Sequence, residues 1–158
     1  MTVYAGRMSG AGLRIAVLTS RFNDLVTDRL RAGCLDGLAR HGLDPASITE
    51  VSVPGALELP LAAQRLAASG EVDAVVCIGA VIRGSTDHHI HVGGQCAAGV
   101  ARVQLDTGVP VVFCVLTTDD LAAALERAGG KMGNKGYEAA VTAIEMADLM
   151  RQLPKSAG

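Results

Sequence analysis

Tryptophan is absent from this sequence, and Phe and Tyr occur only twice each, so aromatic residues make up 3% of the chain. A core built on large rings is excluded, and any core must be made of Ala, Val, Leu and Ile. Charge of one sign is equally scarce. Fourteen Lys and Arg stand against 16 Asp and Glu, for a formal net charge of −2. No basic cluster breaks that balance, which argues against a nucleic-acid partner. No apolar stretch approaches the roughly 20 residues needed to span a bilayer, so no membrane partner is expected. Residues 1–13 are Gly-rich and lack the apolar segment of a signal peptide. No C-x-x-C pair occurs either: Cys34, Cys77, Cys96 and Cys114 are widely spaced. They read as small buried hydrophobes in a reducing compartment, and the expected location is the cytoplasm. Internal repeats, low-complexity segments and linker composition are also missing.

What is present is aliphatic and regularly segmented. The chain has 158 residues, 49% of them apolar, with 19 Gly. That is the size of one domain, able to bury a core without staples. Residues 13–18 (LRIAVL) form a run of strand length. Residues 24–41 carry Val26, Leu30, Cys34 and Leu38 at steps of four, one face of a helix, closed by His41-Gly42 with Gly42 as the expected C-cap. Residues 48–53 alternate as a strand and stop at Pro54-Gly55. Residues 57–68 read as a helix with Glu58 and Pro60 in its first turn. Residues 72–78 are apolar except for Asp73, as in a central parallel strand covered on both faces, and are expected to end at Gly79. A loop to Asp87 precedes a helix from His88 or His89 to about Thr107. A second two-sided run follows at 111–116, and Thr117-Thr118-Asp119 reads as the cap of a helix over 121–128. Residues 129–136 read as a Gly/Lys loop and 137–153 as the last amphipathic helix.

With a short candidate strand at 2–5, this order predicts an α/β three-layer sandwich: a four-stranded parallel sheet with helices on both faces. The expected division is an N-terminal arm over 1–12, a single domain over 13–153 and a flexible tail over 154–158. Parallel sheets bind ligands at the carboxyl ends of their strands, near the switch in strand order. That places Phe22-Asn23, residues 54–58, residues 79–88 and Thr117-Thr118 along one edge.

Gly84-Ser85-Thr86, just ahead of a helix, offers backbone N–H groups, two hydroxyls and a positive helix end, which suit a phosphate. A tight turn with a Ser/Thr cap explains the same residues. The Lys of a P-loop is missing, which argues against a nucleoside triphosphatase. Three of the four His residues crowd this helix start, at positions 88, 89 and 91. They admit a solvated helix start, general acid–base work by one imidazole, or a metal centre. Helical spacing puts His88 and His91 on one face and points His89 elsewhere. No H-E-x-x-H or finger-type spacing supports a metal. Arg127, ahead of Lys131 and Lys135, either offsets a helix C-terminus or clamps a phosphate. Phe113, inside a two-sided run, is core by default. Phe22, among polar neighbours, either packs or stacks on a flat ring.

Taken in order, these segments resemble the 6,7-dimethyl-8-ribityllumazine synthase family. The matching pieces are Ser20-Arg21-Phe22-Asn23, VPGALELP at 53–60, Gly79 to Gly84 with Thr86 and His88, LDTGVPV at 105–111, VLTT at 115–118, LERAG at 125–129 and GNKG at 133–136. The resemblance implies a flavodoxin-like fold whose short N-terminal strand joins a neighbouring subunit. It implies the condensation of 5-amino-6-(D-ribitylamino)uracil with 3,4-dihydroxy-2-butanone 4-phosphate, releasing phosphate and water, with no cofactor and no metal. By the same resemblance Phe22 stacks on the pyrimidine, and Asn23 and Glu58 bind the ribityl hydroxyls. Backbone groups of Ala56, Leu57, Ala80, Val81 and Ile82 read the ring edge. Ser85 and Thr86 hold the phosphate with Arg127 opposite, and His88 moves protons. Phe113, Arg127 and Lys135 are implied to reach the site from the next subunit of a pentamer. The short 129–136 loop resembles that of members forming icosahedral 60-mers, and riboflavin synthase is a partner the resemblance admits. The sequence departs from the family pattern after His88, where His89-Ile90-His91 replaces an aromatic, an acid and an aromatic. Asp87 replaces a common Pro, and Gly93-Gly94-Gln95 a Cys-Asn-Glu-like run. Loss of the acid leaves open a flavin-binding or shell protein of the same fold with little turnover.

Overall fold

Two aliphatic runs sit at the centre of the molecule because each of their side chains has an apolar neighbour on one face or the other. A computed structural model describes residues 1–157. In it the runs are β1 (Ile15–Ser20), buried at every position, and β3 (Ala74–Ile82), buried at all but its last. They are flanked by β2 (Ile48–Val53) and β4 (Val111–Thr118) in the order β2–β1–β3–β4, with every pairing parallel. Ile15, Val17, Val76 and Ile78 face a cluster with Val26, Leu30 and Ile144. The alternate residues Ala16, Leu18, Val75 and Cys77 face Leu59, Ala63, Cys96 and Val100. The first cluster is closed by α1 (Asp24–Arg40) and α5 (Lys135–Gln152), the second by α2 (Leu59–Ala68) and α3 (His88–Thr107). The predicted three-layer α/β sandwich is the observed one.

Several boundaries differ from the sequence reading, each for a local reason. Gly79 does not end β3. A side chain there would crowd Ser20 Oγ, Val115 and Leu59 at 3.1–3.4 Å, so glycine lets the strand pass between its neighbours. Thr117 and Thr118 do not cap a helix; they extend β4 opposite Val81 and Ile82. The cap of α4 (Leu121–Arg127) is Asp120, whose Oδ1 accepts from Ala123 N–H at 2.7 Å. Ala56–Glu58 form a 3-10 turn ahead of α2. The expected 129–136 loop holds a small antiparallel pair, β5 (Ala128–Gly130) and β6 (Gly133–Asn134). Asn134 then caps α5, its Oδ1 accepting from Gly136 and Tyr137 N–H at 2.8 and 3.2 Å. Its Nδ2 donates to Arg29 O at 3.1 Å, which ties α5 to α1.

The expected strand at 2–5 does not form within the chain. The polar contacts of Ala5 and Arg7 go to α5 side chains rather than to a strand edge, and Gly10 N–H donates to His41 O at the end of α1 at 2.7 Å. Asp148 receives the Arg7 backbone N–H at 2.8 Å and its guanidinium at 2.9 Å, and Gln152 donates to Ala5 O at 2.6 Å. Among the described residues no helix is long and apolar enough to cross a membrane.

Candidate active site

In the order β2–β1–β3–β4 the chain reverses its direction of winding between β1 and β3, and a crevice opens where their carboxyl ends diverge. Pairing between these strands stops at Thr19↔Ile78, yet β3 continues to Ile82. Odd-numbered peptides of β3 face β4, as Val75 N–H to Pro110 O and Arg83 N–H to Thr118 O show, both at 2.9 Å. By alternation the Ala80 and Ile82 peptides face the side that β1 has left.

The chain leaving β1 turns across this gap. Arg21 and Phe22 N–H donate to Val53 and Pro54 O at 2.9 and 3.1 Å. Asn23 then adopts the left-handed conformation, φ 62 and ψ 45, which Asn tolerates better than most residues. Its Nδ2 donates to Ala80 O at 2.8 Å, standing in for the missing strand. Its carbonyl accepts from Val26 and Thr27 N–H at 3.0 and 3.1 Å and so opens α1.

Around this turn lies a recess of about 410 Å³. Phe22, 71% exposed, and Asn23 border it from β1, and Gly55, Ala56 and Leu57 from the 3-10 turn. Ala80, Val81 and Ile82 line it from β3. Gly84, Ser85 and Thr86 follow, then His88, His89 and Val92 of α3. No Lys, Arg, Asp or Glu lines it. The recess therefore offers an accessible ring, main-chain polar groups, two hydroxyls and two imidazoles, with no side chain of fixed charge. His88 N–H donates to Thr86 Oγ1 at 3.3 Å, and His89 Nδ1 lies 3.4 Å from Thr86 O.

Two readings are corrected by this geometry, the buried placement of Phe113 and the direction of His89, and several predicted site residues lie outside this chain's own recess. Glu58 does not line the recess; its carboxylate stands beside Gly55, which does. Phe113 is not core: β4 is an edge strand, and the residue is 41% exposed. It lines a separate concavity of about 320 Å³ with Lys135, whose Nζ is 3.2 Å from Glu138. Arg127 borders neither hollow, its Nη1 donating to Ala123 O of its own helix at 2.8 Å. His91, not His89, is the imidazole turned from the recess, because the recess meets the helix at its first turn, where consecutive residues reach it. Among the described residues no three His, Cys, Asp or Glu side chains converge as a metal site requires.

The sequence reading missed His89, although its place beside His88 was a usable signal. Gly93, unexplained in the sequence, has a reason: a Cβ there would stand 3.0 Å from Thr117 Oγ1, so glycine lets α3 approach β4, whereas Gly94 faces open space. The four Cys are buried, as expected. Burial pushes Cys34 and Cys114 up to about 12 and Cys96 to about 11, which removes them as nucleophiles.

One family model, described as 6,7-dimethyl-8-ribityllumazine synthase, matches residues 12–151. The match takes in all four sheet strands, both hollows and nearly all of α5. A sheet of this order, with its crevice at the β1–β3 divergence, and a match that leaves out little more than the arm and the tail place the chain in the 6,7-dimethyl-8-ribityllumazine synthase family, transferases of riboflavin biosynthesis.

Proposed function

We propose that the protein condenses 5-amino-6-(D-ribitylamino)uracil with 3,4-dihydroxy-2-butanone 4-phosphate to give 6,7-dimethyl-8-ribityllumazine, phosphate and water. The observation that carries this reading is the recess at the β1–β3 divergence, where an exposed aromatic, free strand edge, hydroxyl pair and imidazole meet within about 410 Å³. A flat heterocycle stacks on Phe22, its polar edge against the peptides of Ala80, Ile82, Ala56 and Leu57, with Val81 lining the wall. Asn23, with its Nδ2 engaged, offers its Oδ1 to a ribityl hydroxyl, and Glu58 takes the outer end of that chain from beyond Gly55. Ser85 and Thr86 receive the phosphate. The amine attacks the ketone, water is lost to give an imine, phosphate leaves, and ring closure releases a second water. His88 takes and returns protons through these steps, as an imidazole can near neutral pH. No metal or organic cofactor is called for by this sequence of proton transfers.

In this reading the second concavity and Arg127 complete the site of an adjacent subunit, Phe113 and Lys135 entering with them. The assembly is a pentamer or a 60-mer of pentamers in the cytoplasm, with Thr2–Ala5 placed to pair with a neighbour's sheet. Purified protein mixed with both substrates is expected to produce lumazine absorbance and an equal amount of phosphate. Product no faster than the spontaneous reaction overturns the proposal. A second reading is favoured by one observation, the lack of any carboxylate lining the recess to orient His88. Under it the protein holds riboflavin tightly and turns over little, and normal turnover disposes of it.

A further inference from the structure

Two adjacent imidazoles, His88 and His89, line the recess, and only one has been given work. We propose that His89 is an anion-contacting residue whose proton-dependent charge meets the phosphate ester beside Ser85 and Thr86. The inference rests on the proposed reaction, which brings that ester into the recess.

The charged groups on the framing segments are Arg21 and Asp24 next to Phe22 and Asn23, Glu58 on the 3-10 turn, Arg83, and Asp87 ahead of α3. None of them lines the recess, and Arg83 is directed to Asp119 at 3.9 Å. Within this chain the charge presented to a bound dianion is therefore set by His88 and His89, to which the proposed assembly adds the fixed positive charge of Arg127 and Lys135 from an adjacent subunit. A dianion leaving water for a partly apolar hollow needs a countercharge.

His89 is the better placed of the two to supply it. Its Nδ1 lies 3.4 Å from Thr86 O. A carbonyl only accepts, so the tautomer that satisfies this contact carries its hydrogen on Nδ1 and leaves Nε2 as the basic nitrogen. A bare Nε2 repels a phosphate oxygen; once protonated it becomes a charged donor to it. Anion and proton then bind together, and each raises the affinity for the other. His88 stays free to exchange protons with the reacting atoms while His89 holds its proton as long as the anion is bound.

Inorganic sulfate is a suitable probe because it remains a dianion across the range in which imidazole titrates. Calorimetric titration of the assembled full-length protein is expected to show affinity falling about tenfold between about pH 6 and about pH 8. His89→Asn should bind at the lower pH about as weakly as the unaltered protein does at the higher one, and His89→Arg should bind well at both. His88→Asn should keep the pH dependence. In the unaltered protein, NMR titration of the His89 ring should show its pKa rising by about one unit when sulfate is added. That measurement stands even if a variant fails to fold. Sulfate affinity indifferent to residue 89, pH dependence lost with His88 instead, a His89 titration unmoved by sulfate, or no sulfate binding at either pH overturns the inference. Failure of the reaction itself is read separately, as absence of lumazine from the unaltered protein.

Discussion

At Asn23 backbone and side chain serve one end: a left-handed turn opens α1 while the amide reaches back to Ala80 O at 2.8 Å. Replacement by Ala removes the hydrogen bond and leaves a Cβ residue in an unfavourable conformation; replacement by Gly removes only the bond. Asn23→Ala should cost about 2 kcal/mol and Asn23→Gly about 1 kcal/mol less than that. Urea denaturation of the two variants checks the ranking, and equal losses would refute the role of the backbone. At His88 the expectation concerns rate. His88→Ala should slow lumazine formation roughly 100-fold with little change in KM, measured by steady-state absorbance, since positioning of the two substrates survives. At this scale the sequence was legible where context was anomalous. Phe22 stood out because its neighbours are polar. Asn23 did not reveal its structural duty, because nothing in a sequence tells that β1 ends before β3 does. Helical spacing puts His89 off the face that His88 shares with His91, but such spacing describes the middle of a helix, whereas a hollow at a helix's end is reached by neighbours in sequence.

The elements themselves were legible from periodicity, since two-sided strands and one-sided helices leave different apolar patterns. Their ends were less so. Gly79 reads as a stop, yet in β3 it is a position where three neighbours come within 3.1–3.4 Å of an added Cβ. Thr117 and Thr118 read as caps, yet hydroxyl residues suit an edge strand equally well. The paired glycines of α3 give this scale its test. Gly94 meets nothing within 4 Å, so Gly94→Ala should stabilise the helix by about 1 kcal/mol. Gly93→Ala should lose that gain or reverse it, because its Cβ would press on Thr117 at 3.0 Å. Denaturation midpoints of the two variants should move apart; a matched pair of shifts would contradict the packing of α3 on β4.

For the whole molecule, the N-terminal arm is joined to the core through Asp148. The Arg7 side chain and then its backbone N–H hold this carboxyl below the usual carboxylate range, against the opposing effect of burial. A group depressed in the folded state contributes stability above its unfolded pKa, near 3.9, and loses it as pH falls through the folded value. The arm should thus stay docked at neutral pH and loosen only in strong acid, while Asp148→Asn should loosen it at neutral pH. Hydrogen exchange at the Arg7 amide reports both. The proposed sharing of sites between subunits has its own test. Co-assembly of His88→Ala with Arg127→Ala chains should return about a quarter of full activity, because that fraction of sites draws both intact residues from different chains. Mixtures no more active than either parent would place each site within one chain. One consequence of β3 outrunning β1 reaches past this enzyme's own chemistry. Beyond Ile78 the groups facing the gap belong to the main chain, which is the same whatever side chains are attached to it. Libraries that exchange amino acids at positions 80–82 will alter bulk but leave the donor–acceptor sequence there intact. Acceptance of a differently edged heterocycle will have to come from inserting or deleting a residue, which shifts that sequence by one step.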